Sequence, residues 1–252
     1  MLIKSSPPIF SALDVYGHQS ATHWACGCHL RCPFCHNWKI ADYFKSPIVE
    51  CIETTGEKFY SGIKRYMSFI GLWKYVEYVH LTGGEPLLTL TRSDVKTMVE
   101  LAESDGKKIS INSSLMLHPR KAELLVDVHH VAFDVKVPPT ALTGLGEKAL
   151  DLLDFYIENV RRIADAGIRT EARVPVSTLT KPEEVTTLLS KIDRRFDVIV
   201  VFPLINKGAN IQPRHPEWPY YKLRISADEE NEWRKALKPF ARRVVVRNYF
   251  SS

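Results

Sequence analysis

The chain has 252 residues, of which 45% are apolar, 10% aromatic and 25% charged. That balance excludes collagen-like, disordered and low-complexity classes, and the length suits one α/β domain with a large core. A formal net charge of +5 is too slight by itself to argue for nucleic acid. No apolar run is long enough to cross a bilayer, and residues 1–10 lack the apolar stretch of a secretory signal.

Short β-rich runs alternate with amphipathic helical stretches along the chain. Residues 78–81 read as a buried strand, followed by a helix over 92–103. In that helix Val95, Met98, Val99 and Ala102 fall at i, i+3, i+4 and i+7, one apolar face, and Gly106 stops it. Residues 108–112 form the next strand, 119–126 a short helix, and 130–137 a strand alternating about Val131, Phe133 and Val135. A long helix is expected over 147–166, with Gly167 as its C-terminal stop. Residues 168–176 are strand-like, and Thr180 with Glu183 has the spacing of a capping box ahead of another helix. The continuous β-branched run 196–204 suits a strand covered on both faces. Ser226 and Glu229 form a second capping box, opening a helix to Leu237, and 242–249 closes the chain as an edge strand.

Repeated β-then-α order implies a parallel sheet with right-handed crossovers, as an open sheet or a barrel. One segment breaks the rhythm. Residues 206–221 carry Pro213, Pro216 and Pro219 with Trp218, Tyr220 and Tyr221. It reads either as a surface crossover packed by its own aromatics or as a substrate-facing lid.

All five cysteines, Cys26, Cys28, Cys32, Cys35 and Cys51, lie in the first fifth of the chain. A disulfide framework spreads its cysteines, so this clustering points to a metal site and a reducing cytoplasm. Cys28, Cys32 and Cys35 are spaced C-x3-C-x2-C, three soft ligands on one loop. On spacing alone they suit zinc, with Cys26, His23, His29 or His36 as a fourth ligand, or an iron–sulfur cubane with one open iron. Cys26 and Cys51 are expected as buried thiols outside the ligand set. A second motif, Gly83-Gly84-Glu85, directly follows the strand at 78–81. Glycines there let a ligand approach the backbone, and the carboxylate can accept hydrogen bonds from an ammonium group. His80 reads as a structural histidine, and the pairs Arg161-Arg162, Arg194-Arg195 and Arg242-Arg243 as solvated faces.

With both motifs in place, the sequence resembles the radical S-adenosylmethionine (SAM) enzymes. Cys28, Cys32, Phe34 and Cys35 meet their cluster motif, and Gly83, Gly84 and Glu85 their glycine-rich motif. The resemblance implies a partial (β/α)6 barrel within the α/β class, as a single domain over 1–252. Its core would cover about 11–204, with 205–252 a short C-terminal extension of proline-rich loop, helix and final strand. It also implies one [4Fe-4S] cluster on Cys28, Cys32 and Cys35. SAM would bind its open iron through amino and carboxylate groups and be cleaved reductively to a 5′-deoxyadenosyl radical.

Cys35-His36-Asn37 narrows the resemblance to the glycyl-radical-enzyme activases, the activating enzymes of pyruvate formate-lyase and anaerobic ribonucleotide reductase. Asp14-Val15-Tyr16-Gly17 lies where those have an aspartate followed by proline-glycine. Phe133-Asp134-Val135-Lys136 is similar to their D-x-K strand, and Arg173 to their basic residue on the next strand. The implied SAM-binding set is therefore Phe34, Gly83, Gly84, Glu85, Asn112, Ser113, Asp134, Lys136 and Arg173. The implied partners are a glycyl radical enzyme as protein substrate and an electron donor such as flavodoxin or ferredoxin, with no membrane or nucleic acid. Two departures stand out: Ser110-Ile111-Asn112-Ser113-Ser114 replaces an Asp-Thr-Asn-Gly-like turn, and Phe202-Pro203-Leu204-Ile205 offers no histidine. The same core would serve an enzyme acting directly on a small molecule or peptide. A zinc-stabilised binding module explains the cysteines but neither Gly83-Gly84-Glu85 nor the Asp134-x-Lys136 strand.

Overall fold

The computed structural model describes residues 1–206 and 212–248. They fall into two compact units, one of Met1–His29, Lys39–Ser114 and Pro119–Ala132, the other of Leu30–Trp38, Leu115–His118 and Phe133–Ser252.

The first unit is built on three parallel strands, β3 (His18–Ala25), β5 (Tyr78–Gly83) and β6 (Lys108–Ser113). Ser20 stands opposite Tyr78 and Ala25 opposite Gly83, and Tyr78 stands opposite Lys108. Short strands β1 (Leu2–Lys4), β2 (Ile9–Val15) and β4 (Cys51–Glu53) add antiparallel pairs, β1 between β3 and β4, and β2 on β3. These early strands were not legible in the sequence, because β1 and β4 have three residues each and β2 fully buries only Val15. A helical turn, α1 (Trp38–Ala41), closes the cysteine loop, and α2 (Gly56–Phe69) and α3 (Arg92–Ser104) follow β4 and β5. Val95, Met98 and Ala102 bury the predicted face of α3, and Gly106 ends it with φ +66°. A side chain at Gly56 would strike the Asp94 backbone, so α2 begins where only glycine fits. Thr91 and Asp94 cap α3 reciprocally, a box the sequence reading missed. A second short helix, α4 (Pro119–Ala122), precedes β7 (His130–Asp134), whose residues divide between the units.

In the second unit β8 (Arg169–Val176), β9 (Phe196–Pro203) and β10 (Ala241–Val246) run parallel, with Glu171 opposite Val198 and Ala241 opposite Phe196. Helices α5 (Pro139–Leu142), α6 (Leu153–Asp165), α7 (Pro182–Ile192) and α8 (Ala227–Leu237) complete it. Phe133 packs edge-on to Tyr156 of α6 and Phe196 of β9.

Two helical expectations change here. The long helix over 147–166 is a 3-10 segment, Gly146–Leu152, followed by α6, with Gly167 at φ +73° ending it. Thr180 does not cap α7, because the chain enters that helix one residue later with Lys181 at the cap and Pro182 inside. The Thr180 hydroxyl instead accepts from Ser177 N–H at 3.1 Å. Ser226 and Glu229 do form their capping box on α8. The last strand stops at Val246, and Tyr249, like residues 207–211 of the proline-rich segment, lies outside the described residues. Parallel strands alternating with helices put the chain in the mixed α/β class the sequence implied. No helix among the described residues is long and apolar enough to cross a membrane.

Candidate functional site

Strand β3 delivers the chain directly into the cysteine loop. Cys26 there is not a spectator thiol, for it is disulfide-bonded to Cys51, with Cα atoms 6.5 Å apart. The cause is β1, which pairs Ile3 with Ala25 on one side and Lys4 with Cys51 on the other. This corrects the expectation of two isolated thiols. The cysteines outside this disulfide are Cys28, Cys32 and Cys35, the C-x3-C-x2-C set.

Cys28 belongs to the first unit, and Cys32 and Cys35 to the second. Among the described residues, no three or more His, Cys, Asp or Glu side chains are gathered into a metal-holding group. Cys32 is buried and its thiol is pushed up to about 12, first by burial, with the Lys136 and Arg214 charges acting the other way. Cys35 is shifted upward for the same reason, opposed mainly by Arg214. Without a metal these sulfurs hold their protons, while two cations nearby favour the anionic form that a metal requires.

The glycine motif makes close contacts within the fold. A side chain at Gly84 would strike the Gly27 carbonyl, and one at Gly83 would lie 2.8 Å from the Ala25 oxygen. Both glycines therefore let the end of β5 press against the stem of the cysteine loop, backbone to backbone. Gly84 N–H donates to Ala25 O at 2.9 Å and Glu85 N–H to Gly27 O at 2.7 Å.

The Glu85 side chain is 1% exposed and fully engaged. It accepts from the Ser113 hydroxyl at 2.8 Å, the Ser114 N–H at 2.8 Å, the Ser114 hydroxyl at 2.7 Å and the Leu87 N–H at 3.3 Å. Four donors fill the lone-pair positions of a carboxylate. Asn112 donates to the Thr82 hydroxyl at 3.1 Å. The serines that replace the activase-like turn are thus what holds the motif's carboxylate.

Asp134 and Lys136 form a 2.5 Å ion pair, with Lys136 buried. Both charges act on Cys32. Arg173 donates to Glu171 at 2.8 Å along β8, and Val135 N–H donates to Arg173 O at 2.7 Å. Phe34 is half-buried with its ring 6.1 Å from Trp218. His80 hydrogen-bonds Ser110 at 2.7 Å, and Ser110 bonds His130 at 2.7 Å, a fully buried structural chain. The residue that sequence reasoning missed is Arg214. Nothing in the spacing of the proline-rich segment marks which of its side chains turns toward the cysteines.

The pattern of the radical SAM superfamily matches residues 24–192. A Methanocaldococcus jannaschii protein named as a glycyl-radical enzyme activating enzyme is 27% identical over 129 residues, 50% of this chain and 47% of the relative. The 7-carboxy-7-deazaguanine synthase of Hyperthermus butylicus is 32% identical over 116 residues, 44% of this chain and 42% of that protein. The chain therefore spans about half the length of the curated relatives it matches. In fold it is similar to Streptococcus suis SuiB, with a TM-score of 0.59 over 88% of this chain and 47% of that one, at 15% identity. With its cysteine and glycine motifs both inside the matched span, the chain belongs to the radical SAM superfamily, whose cofactors are a [4Fe-4S] cluster and SAM.

Proposed function

We propose that this radical SAM enzyme activates a glycyl radical enzyme, of the anaerobic ribonucleotide reductase or pyruvate formate-lyase type, by abstracting a hydrogen atom from it. The observation that carries the chemistry is the division of the five cysteines: Cys26 and Cys51 are joined to each other, and the three outside any disulfide are those of the cluster motif. The donor set suits a cluster in its chemistry, three sulfurs of which Cys32 and Cys35 feel the charges of Lys136 and Arg214, which favour anionic sulfur. Cys28, Cys32 and Cys35 would hold it and leave one iron open for SAM. When bound, the reduced cluster supplies the electron that cleaves SAM to a 5′-deoxyadenosyl radical.

The protein's own residues bind and orient. Lys136 and Arg173 would steady the SAM carboxylate, and Phe34 the adenine. The backbone of Gly83 and Gly84, with Asn112 and Ser113, would line the methionine end. Glu85 takes part through the turn it braces. A flavodoxin or ferredoxin would supply the electron.

The activase reading is supported by the Cys35-His36-Asn37 continuation and by the activating-enzyme relative. A second reading, direct action on a small molecule or peptide, is supported by the similarity to the deazaguanine synthase. Anaerobic purification with iron and sulfide analysis, then 5′-deoxyadenosine release under reductant, tests the common chemistry. A glycyl EPR signal after mixing with a glycyl radical enzyme supports activation, and 5′-deoxyadenosine release without any glycyl signal refutes it. Colourless protein carrying one zinc and releasing no 5′-deoxyadenosine refutes the whole reading.

A further inference from the structure

Three arginines meet at one end of the second unit's sheet. Arg169 is the first residue of β8, Arg195 directly precedes β9, and Arg242 is the second residue of β10. The parallel register brings them level. Glu171 stands opposite Val198 and Ala241 opposite Phe196, so the three lie within about one residue of a single line across the strands. Together with Gly167, Thr170 and Asp197 they line a groove of about 330 Å³, at the lower end of the size range of small-molecule sites.

Sequence alone reads Arg194-Arg195 and Arg242-Arg243 as solvated faces, but the structure divides the first pair. Arg194 forks onto Asp165 at 2.5 and 3.0 Å, whereas Arg195 lines the groove and donates to Ala241 O at 3.1 Å. Arg242 is held by one contact, its Nη1 lying 3.3 Å from Asp197 Oδ1. The other carboxylate oxygen is taken by β8, accepting from the Thr170 N–H at 2.9 Å and hydroxyl at 3.3 Å. Asp197 therefore steadies Arg242 without the two parallel bonds of a full carboxylate–guanidinium fork. Three guanidinium groups against one carboxylate leave two positive charges on the groove. A phosphate monoester brings up to about two negative charges and three acceptor oxygens, which the planar donors of arginine match.

We propose that this groove is a binding site for a phosphate dianion, free or as the terminal group of a nucleotide. Arg195 and Arg242 are its anchored donors, and Arg169 adds the third charge. Reacting substrates of α/β folds bind at the C-terminal ends of the strands, and this groove lies at the N-terminal ends, so the phosphate is not the reacting group. The site uses neither the cysteines nor SAM, and it stands or falls separately from the radical reading.

Calorimetric titration of the full chain at pH 8 and constant ionic strength, with inorganic phosphate, AMP and adenosine in turn, tests it. One equivalent of phosphate is expected to bind saturably. Arg195→Gln and Arg242→Gln each remove a charge-assisted donor and are expected to weaken binding at least about tenfold. Arg243→Gln removes the same charge from the next position of β10, on the other face of the strand, and is expected to leave the affinity unchanged. AMP binding more tightly than phosphate identifies a nucleotide as the ligand, and AMP binding no more tightly identifies phosphate itself; both support the site. Absence of saturable binding of phosphate and AMP up to about 10 mM overturns it. So does adenosine binding as tightly as AMP, or a loss in R243Q equal to that in R242Q. Should R195Q not fold, having lost its bond to Ala241 O, R242Q decides alone, since that side chain is 78% exposed.

Discussion

Replacing Glu85 with glutamine separates two roles that sequence alone cannot. Glu85 Oε1 accepts from the Ser113 hydroxyl and Leu87 N–H, and Oε2 from the Ser114 N–H and hydroxyl. In Glu85→Gln one of those oxygens becomes an NH2 donor. Whichever way the amide turns, it faces a backbone N–H, which cannot rotate away as a serine hydroxyl can. Hydrogen bonds to a charged group contribute about 1.5–3 kcal/mol against about 1 for neutral pairs, so three short bonds together lose about 3 kcal/mol. The opposed backbone donor adds about 1–3 kcal/mol. Removing a buried charge returns part of this by sparing its desolvation, which leaves a net loss of about 2–4 kcal/mol.

Urea unfolding of the metal-free protein, followed by tryptophan fluorescence, measures that loss. Hydrogen exchange at the Ser114 and Leu87 amides reports it locally and should accelerate. A variant within about 0.5 kcal/mol of wild type, with unchanged exchange at both amides, refutes the bracing role. If such a stable variant also loses SAM affinity, the carboxylate is a ligand for the methionine ammonium, as the motif alone implied.

The remaining predictions concern cysteines and one buried carboxylate. Alkylation in denaturant should label three thiols without reductant and five with it. Closing a loop across 25 residues stabilises by about 3.5 kcal/mol in the chain-entropy treatment, so Cys51→Ser should lower the urea midpoint accordingly. In the folded metal-free chain at about pH 8, Cys32 should label far more slowly than an exposed cysteine, because burial keeps it protonated. Burial acts to raise the Asp94 carboxyl, but bonds from Thr91 and from Gly56 N–H prevail and hold it below its ordinary value. A depressed carboxyl adds stability that is complete above about pH 4 and is lost as the pH falls through the lowered value. Asp94→Asn should therefore destabilise by about 1–3 kcal/mol at neutral pH and flatten the acid limb of the stability curve. An unchanged acid limb would show that the carboxylate is not linked to folding.

Which features were legible in the sequence follows from the range of the interaction behind each. The α3 face, the Ser226 cap and the glycine stops at Gly106 and Gly167 depend on neighbours within a turn or two, and periodicity exposes them. The three cluster cysteines are equally local. The disulfide is not, because Cys26 and Cys51 meet only once β1 inserts between β3 and β4, and three-residue strands carry too little pattern to foresee that. Thr180 failed as a cap through local competition, its hydroxyl being claimed by Ser177 two residues before α7 begins. Arg214 was invisible because its segment is placed by main-chain bonds from Arg214 to Cys35 and from His215 to Pro33, far back in the chain.

The same distinction recasts the glycine motif. Read as a pattern, Gly83-Gly84-Glu85 is a place for a ligand to approach. In the folded chain the closest approach is made by the protein itself, since the stem of the cysteine loop occupies the space a side chain at either glycine would need. Glu85 then joins three segments, its N–H to Gly27 and its carboxylate to Ser113 and Ser114. The loop that carries Cys28, the end of β5 and the turn after β6 are thereby one hydrogen-bonded unit. Gly84→Ala should consequently be felt at Cys28, because the added methyl group meets backbone that has no rotamer to change. Overpacking of this kind typically costs about 1–3 kcal/mol or more. If the variant also loses iron retention relative to an equally destabilised surface mutant, the motif's first duty is to hold the loop that carries the cluster ligands. Wild-type iron retention in Gly84→Ala would return the glycines to the role of an open approach for SAM.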